Sequence, residues 1–212
     1  AWAVDLTGRL LASKHGPDVE AGIKLAGDLR LTDQQTRLVE VAGNRGAPEG
    51  QRRAALEALA NIDARRHAAV LGGVLGDAEA PFALREQSAN LLARANQSET
   101  QGELLKALPT VPARLQTIIA AGLAGSPTGA EKLLDAVKTG KASARLLQDS
   151  AVEPFLKKSN LPRLKERLAE LTKGLPPAGK GMQDLLARRR EGFLKSKKDA
   201  ASGAQVFTKH CA

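Results

Sequence analysis

Helix-start signals recur through this chain at a nearly regular interval, and that interval constrains the fold more than any other feature. Thr32…Gln35, Ser98…Gln101 and Thr128…Glu131 each fit a capping box. In that motif a hydroxyl accepts from the backbone N–H three residues on, and the Gln or Glu reaches back. Asp63 and Asn160 are simpler N-cap candidates at related places. The five positions lie 31, 35, 30 and 32 residues apart. A period of about 32 residues is that of a two-helix unit repeated along a chain.

The spacing predicts paired helices over 18–30 with 33–43, 49–60 with 64–75, 82–95 with 99–108, 113–124 with 129–139, and 142–157 with 161–173. Leu115, Ile118, Ile119, Gly122 and Leu123 form the clearest apolar stripe at helical spacing. Leu56, Leu59 and Ala60 repeat it earlier, and Leu164, Leu168 and Leu171 later. Breakers fall between elements: GNRGAPEG at 43–50, Pro81, LPTVP at 108–112 and GSPTG at 125–129. Aromatic residues make up only 2% of the chain, with no Tyr, so the core must be aliphatic. Leu and Ala favour helix, while the residues that favour strands are scarce. The expected fold is all-α. One pair cannot bury its own stripe, whereas stacked pairs share a continuous core, as in an α-solenoid. The competing arrangement is an irregular helical bundle with coincidental spacing; agreement of cap, breaker and stripe favours the solenoid. A segment at 3–14 (Val4, Leu6, Leu10, Leu11) is expected to cap its N-terminal end, and Trp2 and Phe82 are expected to anchor the core.

Charge is distributed unevenly. Residues 1–150 hold 18 Lys/Arg against 17 Asp/Glu, while 151–212 hold 14 against 6. Of the formal net charge of +9, +8 therefore lies in the last third. No apolar run reaches the ~18 residues that cross a bilayer. AWAVDLTGRLLASKHG does not read as a secretory leader, which leaves the compartment open. One Cys excludes an internal disulfide, and His15, His67 and His210 are scattered. No phosphate-cradling Gly loop, HExxH or Gly-x-Ser-x-Gly occurs, so no catalytic residue is expected. Asp28, Asp33, Asp77 and Asp135 occupy ordinary surface or cap positions. His67 reads as a buried or surface-neutral histidine.

After the Pro/Gly break KGLPPAGKG at 173–181, a connector helix is expected from 183 to about 198, DLLARRREGFLKSKK within it. Leu185, Leu186 and Phe193 are expected to pack on the last repeat. Arg188, Arg189, Arg190, Lys195, Lys197 and Lys198 form either a solvated face or a docking surface for an acidic partner, whose attraction would weaken with salt. Asp199 or Ser202 then caps a final helix containing GAQVFTKHC.

Hairpin length, Ala/Leu-rich first helices and short turns over residues 18–173 resemble HEAT (armadillo-like) repeats. The pattern Gly203-x-x-Val206-Phe207-x-x-x-Cys211 resembles the first helix of a class I cytochrome c. That helix leads into Cys-x-x-Cys-His, whose thiols bind haem and whose His ligates iron. The resemblance implies Cys211 as the first thioether Cys, Phe207 near the haem edge and Gly203 at a close helix crossing. On this resemblance the second Cys and the ligand His would fall beyond Ala212, so no cofactor is expected on these residues alone, and haem c is expected in a longer parent protein. The combination, most specifically 185–212, resembles the large haem-bearing, membrane-bound dehydrogenase-like proteins of Planctomycetes and Verrucomicrobia. It implies a division into a HEAT-like array over 1–175, a basic connector over 176–198 and the lead-in to a cytochrome c domain over 199–212. It implies a non-catalytic spacer between a propeller-like dehydrogenase and a cytochrome c domain, in an exported, periplasmic setting. The alternative is a nucleic-acid-binding solenoid using the basic C-terminal third. The lack of aromatic residues for base stacking weighs against it, and nucleic acid is not an expected partner.

Overall fold

The computed structural model describes residues 2–176, 179–195 and 199–210. Among these the chain is all-α, with no strand. No described helix is long and apolar enough to cross a membrane. Two compact units are present, 1–173 and 174–212.

The first unit opens with α1 (Trp2–Leu11) and α2 (Gly16–Asp28). A 3-10 turn (Thr32–Gln34) leads to α3 (Gln35–Gly43), and then come α4 (Glu49–Asp63) and α5 (Ala68–Gly76). Next are α6 (Phe82–Ala95), α7 (Ser98–Ala107), α8 (Ala113–Ala124) and α9 (Pro127–Lys138). The unit closes with a 3-10 segment (Ala144–Gln148), α10 (Glu153–Lys158) and α11 (Leu164–Leu171). Packing runs between neighbours. α2 touches α4, α4 touches α6 and α6 touches α8; on the other layer α3 touches α5, α5 touches α7 and α7 touches α9. Between the layers lies an aliphatic core that includes Ile23, Leu38, Leu56, Leu59, Leu71, Leu75, Leu84, Leu92, Leu104, Leu115 and Ile119.

Helices form near the five expected cap positions, but their starts differ from the expected ones. Thr32 starts the 3-10 turn, and no side chain caps α3. Asp63 accepts from the Arg66 N–H (3.0 Å) at the end of α4, while α5 starts five residues later. The α7 start lies one residue early: the Gln97 N–H donates to Thr100 Oγ1 (3.0 Å). Ser126, not Thr128, caps α9 by accepting from the Gly129 N–H (3.1 Å). Asn160 has a φ of 52° and precedes α11 by several residues. A cap depends on where the incoming chain leaves the helical conformation, and the turns decide that.

The firmer register belongs to proline. Pro48, Pro81 and Pro112 are the N-cap residues of α4, α6 and α8. Their fixed φ and missing N–H suit a helix start. The turns before the first two match: the Ala47 N–H donates to the Asn44 carbonyl and the Ala80 N–H to the Asp77 carbonyl, both at 3.1 Å. The side chains of Asn44 and Asp77 accept from the N–H two residues on. Four residues past each proline stand Arg52, Arg85 and Gln116. Arg52 Nε donates to the Ala42 carbonyl and Arg85 Nε to the Leu75 carbonyl, each at 3.0 Å and each buried. Gln116 Nε2 donates to the Val111 carbonyl (3.1 Å). Each guanidinium satisfies a carbonyl at the negative end of a helix, which compensates its burial. The expected pairing is accordingly shifted at the start of the chain. α3 lies closely against α4, and α5 against α6, across the turns that these arginines stitch.

The fifth expected pair departs most. In place of one helix over 142–157, the chain forms the 3-10 segment and α10, separated at Asp149. Asp149 Oδ1 accepts from the Ala151 N–H (2.8 Å), and its Oδ2 accepts from Thr117 Oγ1 (3.1 Å). Pro154 sits in the first turn of α10, where a proline interrupts no backbone bond. The N-terminal segment does form a helix, α1, packed on α2. The two aromatic anchors do not hold. Trp2 is 72% exposed and Phe82 is 36% exposed, its ring under the Arg114 guanidinium at 4.8 Å. Leu and Ala already fill the space between layers, and both aromatics lie at or next to a helix start.

In the second unit, α12 (Lys180–Lys195) and α13 (Ala200–His210) follow the Gly174 turn.

Candidate functional site

Three features stand out: side-chain ties between residues about 32 positions apart, open grooves on the first unit, and the exposed residues of the two C-terminal helices.

The ties join residues 31 to 36 positions apart. Arg45 bonds both carboxylate oxygens of Asp77 (2.9 Å), and Arg65 Nε bonds Glu99 (2.7 Å). Arg53 Nε donates to Gln87 Oε1 (3.0 Å), Lys132 Nζ to Gln101 Oε1 (3.0 Å), and Arg167 clasps Glu131 bidentately at 2.8 and 2.6 Å. The Arg167 bond holds the Glu131 carboxyl below its usual range. His67, 6% exposed, belongs to the same series. Gln35 Nε2 is engaged by the Thr32 carbonyl (2.7 Å), so Gln35 Oε1 accepts from His67 Nε2–H at 2.8 Å. Burial, then the charge of Arg66, pushes the His67 pKa down, against a smaller pull from Asp63. His67 is thus a buried neutral tie, as its sequence setting implies.

The grooves are open clefts between adjacent helices. One, about 440 Å³, runs between α2 and α4 and is lined by Glu20, Lys24, Asp28, Glu57 and Asn61. Its floor is set by Gly27, whose missing side chain lets α2 meet Ala58 of α4. A second cleft, about 370 Å³, holds Lys106, Lys132, Asp135, Thr139 and Lys141. Among the described residues no group of three or more His, Cys, Asp or Glu is placed to hold a metal. Of the four carboxylates singled out in sequence, Asp77 is tied to Arg45, while Asp28, Asp33 and Asp135 are exposed.

On α12, Arg188, Arg189, Arg190 and Lys195 are exposed, whereas Lys197 and Lys198 lie outside the described residues. Lys195 Nζ pairs with Glu191 (2.6 Å), and Arg188 Nε leans on the Asp184 carbonyl (3.4 Å). Leu186 and Phe193, expected to pack, are 60% and 62% exposed, and Leu185 is 39% exposed. Helix α13 begins at the expected cap. Asp199 accepts from Ser202 Oγ (2.5 Å) and the Ala201 N–H (3.0 Å), and these bonds, the Ser202 hydroxyl first, hold its carboxyl low. Gly203, Val206 and Phe207 fall at i, i+3 and i+4, so they share one face. A Cβ on Gly203 would meet nothing within 4 Å, and Val206 and Phe207 are 60% and 61% exposed. Cys211, the implied haem attachment point, lies outside the described residues.

Sequence reasoning missed Arg52 and Arg85. The signal was available as Pro-x-x-x-Arg at 48–52 and again at 81–85. Compared with models of known protein families and with curated proteins, the chain matches none of them.

Proposed function

We propose that this chain is a non-catalytic scaffold. On this reading residues 1–173 form a HEAT-like α-solenoid that holds neighbouring modules of a longer electron-transfer protein at fixed separation. The observation that carries the reading is the series of polar ties between residues about one repeat apart, laid over neighbour-to-neighbour helix packing. Ties of that kind resist sliding and splaying of adjacent repeats, which is what a spacer requires. The chemistry belongs to the attached modules: a propeller-like dehydrogenase that oxidises substrate, and a cytochrome c domain that α13 introduces. The exposed Gly203, Val206 and Phe207 face supports that assignment, because such a face needs a covering partner. The parent protein is then an exported oxidoreductase carrying haem c.

The test is expression of the native gene with a c-type haem maturation system. A covalent haem spectrum that disappears in Cys211→Ser supports the reading. A full-length product without haem, or with haem indifferent to Cys211, overturns it.

A further inference from the structure

Helix α12 segregates its charges, and the segregation points to a partner. At 3.6 residues per turn, Leu186, Arg189, Arg190, Phe193 and Leu194 stand at i, i+3, i+4, i+7 and i+8, one face of the helix. Leu186 and Leu194 are 60% and 67% exposed, and both arginines are exposed. The carboxylates Asp184 and Glu191 lie on the other side, where Glu191 already neutralises Lys195. Among the described residues no hydrogen bond or ion pair engages Arg189 or Arg190. One face therefore combines two uncompensated cations with large apolar side chains and has no anion.

We propose that this face docks, as a helix in a groove, on a partner protein whose apolar groove carries carboxylates. Recognition of this class is read from anchors at i, i+3, i+4 and i+7. Charge complementarity fixes the sign of the groove. The placement of the arginines selects a protein over an anionic bilayer. A helix lying in a membrane interface presents an unbroken apolar face with its cations on the polar side. Here Arg189 and Arg190 are interleaved between Leu186 and Leu194, so each guanidinium would be pressed toward hydrocarbon. A groove with carboxylates between apolar pockets accepts both. The inference does not depend on what the repeat unit holds apart.

Calcium-loaded calmodulin, an acidic protein with apolar grooves, serves as the probe for this class, titrated calorimetrically against the full chain. The expected result is one-to-one binding at low salt that weakens at least about tenfold when salt is raised to about 0.3 M. Arg189→Glu with Arg190→Glu abolishes it, and Leu186→Ser with Leu194→Ser weakens it at least about tenfold. The charge-matched control Lys14→Glu with Lys138→Glu leaves it within about twofold. These residues are exposed, so circular dichroism should show folding unchanged in every variant. Absence of binding overturns the proposal. So does equal loss in the Lys14/Lys138 control, which would mean net charge alone is read. Binding to vesicles of phosphatidylglycerol and phosphatidylcholine in place of the protein probe transfers the face to a membrane and likewise overturns it.

Discussion

Single side chains set the strength of this array, and the buried arginines matter most. Arg85 is 7% exposed and satisfies the Leu75 carbonyl through Nε. Truncation to alanine leaves that carbonyl without its partner and a void beside it. Arg85→Ala should lower unfolding stability by about 2–3 kcal/mol in a urea titration. Arg53→Ala, at an exposed tie of similar length, should change it by less than about 0.5 kcal/mol. Equal effects would remove the distinction between stitch and surface tie. His67 adds a pH dependence of defined sign. Its folded pKa lies below its unfolded value, so the unfolded chain binds the proton first. Stability should be full above about pH 6.5. It should fall as pH drops from there to the folded pKa, and then level off. The position of His67 at the start of α5 acts in the same direction, since a cation there opposes the helix dipole. His67→Gln should flatten that part of the profile, and a slope that persists in the variant would assign it to other groups.

At the scale of the element, glycines divide into those that permit contact and those that only loosen a helix. A Cβ at Gly27 would lie 2.8 Å from Ala58 Cα and 2.9 Å from Ala58 Cβ, and one at Gly122 would strike Ala93. These helices approach closely because nothing stands between their backbones. Gly73 sits in α5 with nothing within 4 Å of the same position. Gly27→Ala should therefore destabilise by about 1–3 kcal/mol, since α2 must move off α4. Gly73→Ala should stabilise by about 0.5–1 kcal/mol, since it meets only the propensity term. Thermal melts of the two variants shifting in the same direction would contradict the close-crossing account. The fifth pair teaches the complementary lesson. Its helical composition predicted one continuous element, yet Asp149 turned its side chain onto the Ala151 N–H and Pro154 fixed a new start. Pro154 stood in the sequence but was read inside one helix over 142–157, although a proline there ends or restarts a helix. The Asp149 turn was not legible, because its second oxygen is held by Thr117 on another helix.

For the whole molecule, the boundary at Lys173–Gly174 separates two compact units. Among the described residues, the buried aliphatic core lies within 1–173. A fragment of 1–173 should unfold cooperatively with a melting temperature within about 4 °C of the full chain, since the described buried core lies within it. A fragment lacking cooperative unfolding would show that the C-terminal helices contribute to that core.

Much of this organisation was legible because it is local. Aliphatic stripes at helical spacing, Leu- and Ala-rich composition and proline breakers between elements all act within a few residues of the chain, and they determined an all-α fold. The uneven charge was equally plain. What only the tertiary structure decided rests on contacts one repeat away. Which residue caps each helix, which second helix lies against which first helix, and the burial of Arg52 and Arg85 all depend on groups supplied by another turn of the chain. The exposure of Trp2 and Phe82 has the same origin. Hydrophobicity states that a side chain gains by burial, but only the assembled layers state whether space remains for it.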